Sequence, residues 1–388
     1  MRKIRAGIIG AGFVGPHHVD AVRRLGYVEV AAIAASTPES AERKASRLGI
    51  DRAYSSYEEL LADRTIEVVH VCTPNHLHYA VVMAAIRSNK HVICDKPLAM
   101  TAVEALEMHD YARAAGVVNA VAFNYRFSPM VEQARAMIAD GEVGTVRFVH
   151  GHYLQDWLLY ETDFSWRLEA DKAGASNSVG DIGTHWCDTA QFIVGHRIER
   201  VLASLNTMVQ VRKKPTGSTG PFTTDRFEEQ SEDYVITSDD LGSIMLEFEG
   251  GARGVFLVGQ VCPGHKNDLK IEINGSTASL SWKQERPDEL WVGRRDQPNR
   301  HITRDTALLT ESARQLSSLP AGHSEGWADA FKNLMQRVYW FIARGRHPIA
   351  DRDKIDFPTF EDGYLANCVV DAIIRSNIDR SRWTKVQY

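Results

Sequence analysis

The sequence predicts two domains: an N-terminal α/β domain of repeated βαβ units and a C-terminal α+β domain with a large, mainly antiparallel sheet. The chain has 388 residues, and single hydrophobic cores usually stop growing near roughly 250 to 300 residues. Strand-like and helix-like runs alternate up to residue 124, whereas the runs after Val143 are mostly strand-like. We therefore expect one domain over residues 1–124 and a second over residues 125–388.

The first domain shows the regular alternation of strand and helix that is typical of βαβ units. Its strands are predicted at residues 4–9, 28–35, 67–71, 91–94 and 117–122. Its helices are predicted at residues 14–25, 38–48, 76–88 and 102–115.

Short strand-like runs separated by turn signals characterise the second domain. Glu249–Gly251 and Asn274–Ser276 predict tight turns, which indicates hairpins in an antiparallel sheet. Residues 212–225 are rich in Lys, Pro, Gly, Ser and Thr, which predicts an exposed loop with Lys213 and Lys214 solvated. The strands are predicted at residues 146–154, 200–208, 233–237, 242–247, 254–259, 269–273 and 277–282. Two helices, at residues 181–194 and 325–344, are expected to cover one face of the sheet, with another at residues 360–376.

A glycine motif, Gly10–Gly15, lies between the first predicted strand and the first predicted helix. In that position Gly10 permits a tight turn, Gly12 lets the backbone approach a phosphate, and Gly15 lets the helix pack on the strand. The helix N-terminus adds N–H donors and a positive dipole. The motif predicts a dinucleotide-binding Rossmann domain. The alternative is that these glycines serve only the packing of the turn.

Composition and charge describe an ordinary soluble protein. Hydrophobic residues make up 44%, charged residues 24%, and the formal net charge is −5, which argues against a nucleic-acid partner. The five cysteines are scattered without a Cys-x-x-Cys pair, so we expect reduced thiols and a cytoplasmic location. The sequence has no signal-peptide core and no run of about 20 apolar residues, so we expect neither secretion nor a membrane span.

Three motifs together carry a family resemblance. With Gly10–Gly15, Asp95–Pro97 after a predicted strand, and Asp181–His185, the chain resembles the Gfo/Idh/MocA family of glucose-fructose oxidoreductase, inositol dehydrogenase and rhizopine-catabolism proteins over nearly its whole length. The resemblance implies a Rossmann domain, a C-terminal antiparallel sheet often used for oligomer contacts, and a Glu-Lys-Pro motif whose lysine works with an Asp and a His. Here Asp95 replaces that glutamate, a difference of one methylene.

Two further segments extend the resemblance. Thr73–His78 looks like the family's loop near the nicotinamide, and Tyr153–Trp157 with Trp166–Arg167 resembles members acting on pyranosides and anhydrosugars. The resemblance implies reversible hydride transfer between NAD(P) and a secondary hydroxyl or keto carbon of a sugar, glycoside, anhydrosugar or cyclitol. It also implies a homo-oligomer, either a dimer or a tetramer.

The chemistry of such a reaction assigns roles to three residues. A hydroxyl must lose a proton while its carbon gives hydride to the cofactor, and histidine, with a pKa of about 6.5, suits the proton step. Asp181 and His185 are four residues apart, so on a helix they would face the same substrate volume. We assign His185 as acid/base, Lys96 as stabiliser of the reacting oxygen, and Asp181 as a substrate-hydroxyl ligand. Individually, Lys96–Pro97 could be a turn and Asp181 a helix N-cap.

The remaining candidates follow from position and chemistry. Polar planar groups beside aromatic rings suit sugars, although the aromatic residues could equally serve core or interface packing. No spacing suggests a metal site. The substrate-binding candidates are Lys96, Tyr125, Gln155, Trp157, Arg167, Asp181 and His185. The cofactor-binding candidates are Gly10, Gly12, Phe13, Val14, Gly15, Ser36, Thr37, Arg43, Thr73, Pro74, Asn75, His78, Asp95 and Lys96.

The residues after the second predicted strand bear on the choice between NADP and NAD. An acidic residue about 20 positions beyond the glycines would bind the ribose 2′-hydroxyl of NAD and repel a 2′-phosphate. This chain has Ala35, Ser36 and Thr37 there, with Arg43 and Lys44 on the next predicted helix. These features favour NADP over NAD, although the basic pair would also fit a solvent-facing position.

Two other functions remain open at this point. One is a glycosidase that retains its NAD and uses transient oxidation to assist elimination. The other is a non-catalytic sugar or nucleotide sensor. The combination of Lys96, Asp181 and His185 argues against a sensor, because a sensor needs no proton relay.

Overall fold

The N-terminal part of the chain folds around a parallel sheet whose central strands are almost continuously apolar. The computed structural model describes residues 3–216 and 231–388, and their first six strands pair in the order β3-β2-β1-β4-β5-β6. The strands are β1 (Ile4–Ile9), β2 (Val28–Ala34), β3 (Arg52–Tyr54), β4 (Val68–Val71), β5 (His91–Cys94) and β6 (Asn119–Val121). Apolar runs of this kind are expected where helices cover both faces of a parallel sheet. The predicted α/β class is confirmed.

Helices alternate with these strands, and their ends follow capping signals in the sequence. Thr37, Ser56 and Thr101 are N-caps whose side chains accept from the backbone N–H three residues later. Gly49 and Gly116 end two of the helices with positive φ. The helices are α1 (Val14–Arg23), α2 (Pro38–Leu48), α3 (Tyr57–Ala62), α4 (His78–Arg87) and α5 (Ala102–Ala115). The short β3 and α3 were not predicted.

The chain divides into two compact units, and the first is discontinuous. Unit 1 comprises Met1–Phe123 and Phe331–Asn367, and unit 2 comprises Asn124–Ala330 and Cys368–Tyr388. The unit boundaries fall within α10 (Trp327–Ala343) and α11 (Phe360–Ile378).

The helix predicted at residues 325–344 was expected to cover the C-terminal sheet, but from Phe331 onward it belongs to unit 1. Its Tyr339 hydroxyl is 2.7 Å from His70 Nε2, and Phe331 packs edge-on against His18. Phe360, which begins α11, donates its N–H to Asn119. His70 and Asn119 lie on strands of the parallel sheet, and His18 lies on α1. From Phe331 onward, the predicted helix therefore packs within unit 1 and not on the C-terminal sheet.

Unit 2 contains a nine-stranded sheet in the order β16-β15-β14-β13-β7-β12-β11-β8-β17 among the described residues. Neighbouring strands are antiparallel except β7 and β12, which pair in parallel. The strands are β7 (Val146–Leu154), β8 (Ile198–Asn206), β11 (Leu241–Phe248), β12 (Arg253–Gly259), β13 (Asp268–Gly275), β14 (Ser279–Lys283), β15 (Glu289–Gly293), β16 (Arg300–Thr303) and β17 (Thr384–Lys385). The predicted large, mainly antiparallel sheet and its two hairpins are confirmed. The strands β15, β16 and β17 were not predicted.

One helix of unit 2 packs directly on this sheet. The Trp186 ring stacks on Phe256 of β12 with centroids 4.5 Å apart, and its Nε1 donates to the carbonyl of Lys270 at 2.9 Å. The helices of this part of the chain are α6 (Pro129–Ala139), α7 (Ala170–Ala173), α8 (Thr184–Val194) and α9 (Glu311–Arg314). In the described ranges of both units, every helix is too short or too polar to cross a membrane.

The segment predicted as an exposed loop at residues 212–225 begins instead with a strand. β9 (Val211–Pro215) pairs with β10 (Ser231–Val235) in a separate two-stranded sheet. The Arg212 side chain is fully buried. Its guanidinium donates hydrogen bonds to backbone carbonyls of a loop that lies far away in the sequence, which satisfies the buried charge. Lys214 binds Glu169 at 2.9 Å, so it is not simply solvated. Residues 217–225 lie outside the described residues.

Candidate active site

The strand-to-helix turn after β1 leaves a place where a phosphate can approach the backbone. Gly10 has φ of +88°, and a Cβ there would lie 2.7 Å from the carbonyl oxygen of Cys72. A Cβ on Gly15 would lie 2.7 Å from the carbonyl oxygen of Gly10, so close backbone packing requires both glycines. A Cβ on Gly12 would meet no atom of the described residues within 4 Å. This open space at the start of α1 fits a dinucleotide pyrophosphate.

The residues flanking this turn are exposed. Phe13 precedes α1 with 44% of its surface exposed, and Val14 is the first helical residue. Ser36 and Thr37 follow β2 and are exposed, although Thr37 also caps α2 by accepting from the N–H of Ser40 at 3.2 Å. Arg43 is exposed on α2. These are positions at which the adenosine ribose would be recognised in this fold.

A buried histidine contacts the loops that follow β4 and β5. His78 Nε2 lies 2.9 Å from the carbonyl oxygen of Thr73, and its Nδ1 lies 2.9 Å from that of Pro97. Burial lowers the pKa of His78, while the nearby Asp95 acts in the opposite direction. His78, predicted to bind cofactor, therefore has both ring nitrogens on protein carbonyls and braces the two loops.

These loops carry the other predicted unit 1 candidates. The Thr73 Oγ1 atom is buried and has no hydrogen-bond partner in the described part of the chain, although buried polar atoms normally have one. Pro74 follows it, and Asn75 begins a 3-10 turn. Asp95 and Lys96 come directly after β5. Ligands of open α/β sheets bind at the carboxyl ends of such strands, so the unsatisfied Thr73 hydroxyl also fits a bound dinucleotide.

The motif Asp181–His185 lies at a junction between two kinds of helix. Val179–Gly183 form a π-helical turn, and α8 begins at Thr184. Asp239 holds the start of this turn, because its carboxylate accepts from the N–H groups of Asn177 at 3.1 Å and Val179 at 3.0 Å. Asp181 is therefore inside the π-turn and is not the N-cap of α8, and the spacing to His185 does not describe a single α-turn.

The Asp181 carboxylate is fixed from two sides. Arg167 Nε donates to Oδ1 at 3.3 Å, and Gln260 Nε2 donates to Oδ2 at 2.8 Å. The Arg167 guanidinium also lies over the Trp166 ring at 4.7 Å. Its Nη1 is buried without a hydrogen-bond partner among residues 3–216 and 231–388. Together, Asp181 and Arg167 present an oriented acceptor and an unsatisfied donor.

His185 is nearly buried beside two phenol rings. It is 7% exposed, and its ring centroid lies 5.0 Å from that of Tyr125 and 6.4 Å from that of Tyr153. Burial raises the pKa of both tyrosines, and the charge of Asp181 acts in the same direction. Both phenols therefore stay protonated and available as hydrogen-bond donors near neutral pH.

A hydrogen-bonded chain connects these phenols with two predicted substrate contacts. The hydroxyls of Tyr125 and Tyr153 are 2.8 Å apart, and the Tyr153 hydroxyl donates to Asn267 Oδ1 at 2.6 Å. Gln155 Nε2 donates to the same oxygen at 2.9 Å, and Trp157 Nε1 donates to Gln155 Oε1 at 2.9 Å. Unit 2 thus brings together Tyr125, Gln155, Trp157, Arg167, Asp181 and His185, whereas Lys96 belongs to unit 1.

Four residues of this network were not among the site candidates chosen from the sequence, although Tyr153 lies in a segment that carried the family resemblance. Tyr153 stands two positions before Gln155, and the two-residue period of a strand could have identified it. Asn267, Gln260 and Asn177 are amides in connecting segments, and no local pattern marks them. Within the described ranges, no group of three or more His, Cys, Asp or Glu residues could hold a metal ion.

Comparisons with known proteins agree with this architecture. Residues 4–123 match the family described as an oxidoreductase family with an NAD-binding Rossmann fold, and residues 131–281 match the GFO/IDH/MocA C-terminal domain. Levoglucosan dehydrogenase of Pseudarthrobacter phenanthrenivorans is 32% identical over 100% of this chain and 99% of that protein. D-xylose 1-dehydrogenase (NADP(+)) 2 of Haloferax volcanii is 36% identical over 49% of this chain and 56% of that protein.

A solved structure extends the likeness to three dimensions. Levoglucosan dehydrogenase in complex with NADH and levoglucosan has a TM-score of 0.87 to this chain at 30% identity, covering 100% of both chains. This structure covers the full chain at 30% identity, and both domains of the family match in order along the sequence. The chain belongs to the Gfo/Idh/MocA family of NAD-binding oxidoreductases.

Proposed function

We propose that this chain is an NAD(P)-dependent sugar dehydrogenase or reductase acting on an uncharged pyranoside or anhydrosugar. The observation that carries this proposal is the network around Asp181 and His185. It combines the Trp157 ring, the phenol of Tyr125 and an unsatisfied Arg167 N–H with an ionisable acid and an imidazole. Sugars present apolar faces and polar edges, which such a mixture of aromatic and planar polar groups recognises.

The charges in this network favour a neutral substrate over a sugar phosphate. Three cationic side chains of unit 2 are each matched by a carboxylate, so none of these three pairs offers an excess positive charge to a phosphate. The pairs are Arg167 with Asp181, Arg126 with Asp188, and Lys214 with Glu169. The likeness to levoglucosan dehydrogenase, whose solved complex contains levoglucosan, supports the same class of substrate.

The chain's own side chains supply the acid–base chemistry in this proposal. Asp181 accepts a hydrogen bond from a substrate hydroxyl and orients the sugar. His185 takes the proton of the reacting hydroxyl in oxidation and returns it in reduction. Lys96 donates to the reacting oxygen and stabilises its developing negative charge. A bound nicotinamide accepts or supplies the hydride.

We further propose that the chain prefers NADP to NAD. No carboxylate stands at positions 35–37, where one would repel the 2′-phosphate. Ser36 and Arg43 are exposed at the end of β2 and on α2, where a hydroxyl and a guanidinium would bind that phosphate.

The test is the absorbance of the reduced nicotinamide with NADP or NAD and a panel of sugars. The panel contains levoglucosan, methyl pyranosides, free monosaccharides, inositols and glucose 6-phosphate. A rise with a neutral sugar and none with glucose 6-phosphate is expected. Tight cofactor binding without any sugar-dependent rise would contradict the dehydrogenase. Cleavage of a glycoside without net cofactor reduction would instead identify a glycosidase that retains its cofactor.

A further inference from the structure

Gln260 follows β12 and is completely buried beside Asp181. Its side chain joins two polar partners: Nε2 donates to Asp181 Oδ2 at 2.8 Å, and Oε1 accepts from Asn177 Nδ2 at 2.8 Å. Arg167 binds the other oxygen of Asp181, which favours the ionised carboxylate, and a carboxylate can only accept. The Gln260 amide therefore has a single consistent orientation.

The backbone of Gln260 is also held in place. Its N–H donates to the carbonyl of Asp240 at 3.0 Å, and its carbonyl accepts from the N–H of Leu158 at 3.1 Å. Leu158 directly follows Trp157, a predicted sugar contact. Gln260 therefore connects the loop carrying Trp157 with the π-turn carrying Asp181.

We propose that Gln260 is a positioning residue that holds the Asp181 carboxylate aimed at a substrate hydroxyl. This inference rests on the proposed function, because Asp181 is the sugar ligand there. Arg167 holds one oxygen of Asp181 and Gln260 holds the other, so the two side chains together fix the plane of the carboxylate. The titratable side chains near Asp181 include Arg167 and the phenols of Tyr125 and Tyr153.

The decisive variant is Gln260→Glu, which nearly preserves shape and keeps the acceptor for Asn177. It places a carboxyl group against the Asp181 carboxylate, and two carboxyls at that distance share one proton. The pair then ionises fully only at higher pH. The acid limb of the pH profile of kcat/KM is expected to move up by at least about one unit, with roughly a tenfold loss below it.

The control is Gln133→Glu. Gln133 is another buried glutamine of unit 2, but its Oε1 accepts from the N–H and hydroxyl of Thr310, so the change leaves Asp181 untouched. Its pH profile should match the wild type. If Gln260→Glu lowers kcat/KM by the same factor at every pH, Gln260 is only structural and the proposal is overturned.

A polarity swap tests the same bond without catalysis. In the double variant Asp181→Asn with Gln260→Glu, the new Asn amide can donate to the new carboxylate, which restores one donor and one acceptor. The thermal midpoint at neutral pH should fall in Gln260→Glu and recover in the double variant. Failure to recover overturns the proposal. If the wild type oxidises no sugar, the proposed function fails while this stability cycle still decides the role of Gln260.

Discussion

The His185 ring is held in one orientation, as a proton acceptor in catalysis requires. Its ring is 7% exposed and packs against Tyr125, so its orientation is fixed by neighbours. Replacing His185 with Ala is expected to lower kcat by roughly 10²- to 10⁴-fold, the contribution typical of acid–base catalysis. Cofactor affinity, measured from the fluorescence of bound NADH, should not change.

A matched control for that change is His196→Ala. His196 is exposed just beyond the end of α8, so its loss should leave turnover intact. Wild-type turnover in His185→Ala would remove His185 from the mechanism.

Arg43 tests the cofactor preference. It is exposed on α2, six residues beyond the Thr37 cap, and a guanidinium binds a phosphate more strongly than a ribose hydroxyl. Arg43→Ala is expected to lower kcat/KM for NADP by about tenfold, which corresponds to roughly 1.4 kcal/mol, and to leave the value for NAD unchanged. Arg47→Ala, on the same helix and also exposed, should affect neither. Equal losses with both cofactors would contradict this role of Arg43.

Three elements of unit 1 are joined by a buried polar chain. His18 on α1 lies 2.8 Å from His70 on β4 between their Nδ1 atoms, and His70 Nε2 lies 2.7 Å from the Tyr339 hydroxyl on α10. The His18 ring is fully buried. Burial lowers the pKa of both histidines, that of His70 to about 3.

The lowered pKa values of these two buried histidines predict that acid destabilises the fold. Between pH 6.5, where an unfolded histidine titrates, and about 3, the unfolded protein binds more protons than the folded protein. The free energy of unfolding should therefore be highest above pH 6.5 and fall below it, by up to about 1.4 kcal/mol per pH unit for each histidine. Thermal midpoints measured from pH 8 to pH 5 would show this, and His70→Gln should flatten the curve. Parallel curves for the two proteins would refute it.

Arg212 ties the strand β9 to the loop that precedes Arg167. Its Nη1 and Nη2 donate to the carbonyls of Tyr160 and Leu158, both at 2.8 Å. Arg212→Lys keeps the charge but loses this forked geometry, so KM for the sugar should rise several-fold while cofactor affinity stays constant. Lys213→Ala, which removes only an exposed ion pair with Asp233, is the control. An unchanged KM in Arg212→Lys would show that β9 does not contribute to substrate binding.

The same elements show what the sequence could predict. Alternating apolar runs and turn residues such as Gly250 and Gly275 are local signals, and they predicted the βαβ order and both hairpins. The burial of Arg212 depends on carbonyls some fifty residues earlier in the chain, whereas its local composition is that of a loop. The sequence predicted the helix that contains Phe331 but could not indicate that this side chain packs against His18 of α1.

Some residues of the candidate site could likewise be predicted from local sequence, whereas others are visible only in the folded chain. Gly10, Gly12 and Gly15 were predictable because they form one motif within six residues of sequence, although the carbonyl that Gly10 approaches belongs to the distant Cys72. The contact between Asp181 and Gln260 joins residues 79 positions apart, so only the folded chain shows it. The catalytic roles of Lys96, Asp181 and His185 stay predictions until they are tested.

At the scale of the whole molecule, an apolar stripe on the large sheet of unit 2 is exposed in the isolated chain. Met245 is 49% exposed, Leu257 is 45% exposed and Phe148 is 39% exposed. Met245 pairs with Val255 on the neighbouring strand, two residues before Leu257, so both project from the same side of the sheet. Contiguous apolar surface of this kind is typical of an interface.

We expect this stripe to be the contact between copies of the chain, as a dimer or a tetramer. A charge on each of two facing surfaces would be buried without a partner, which costs several kcal/mol. Met245→Glu with Leu257→Glu should therefore reduce the mass measured by sedimentation equilibrium to that of one chain. Leu308→Glu, at a residue of unit 2 that is 77% exposed, should leave the mass unchanged. If the wild type is already monomeric, or the double variant keeps its full mass, the stripe is not the oligomer interface.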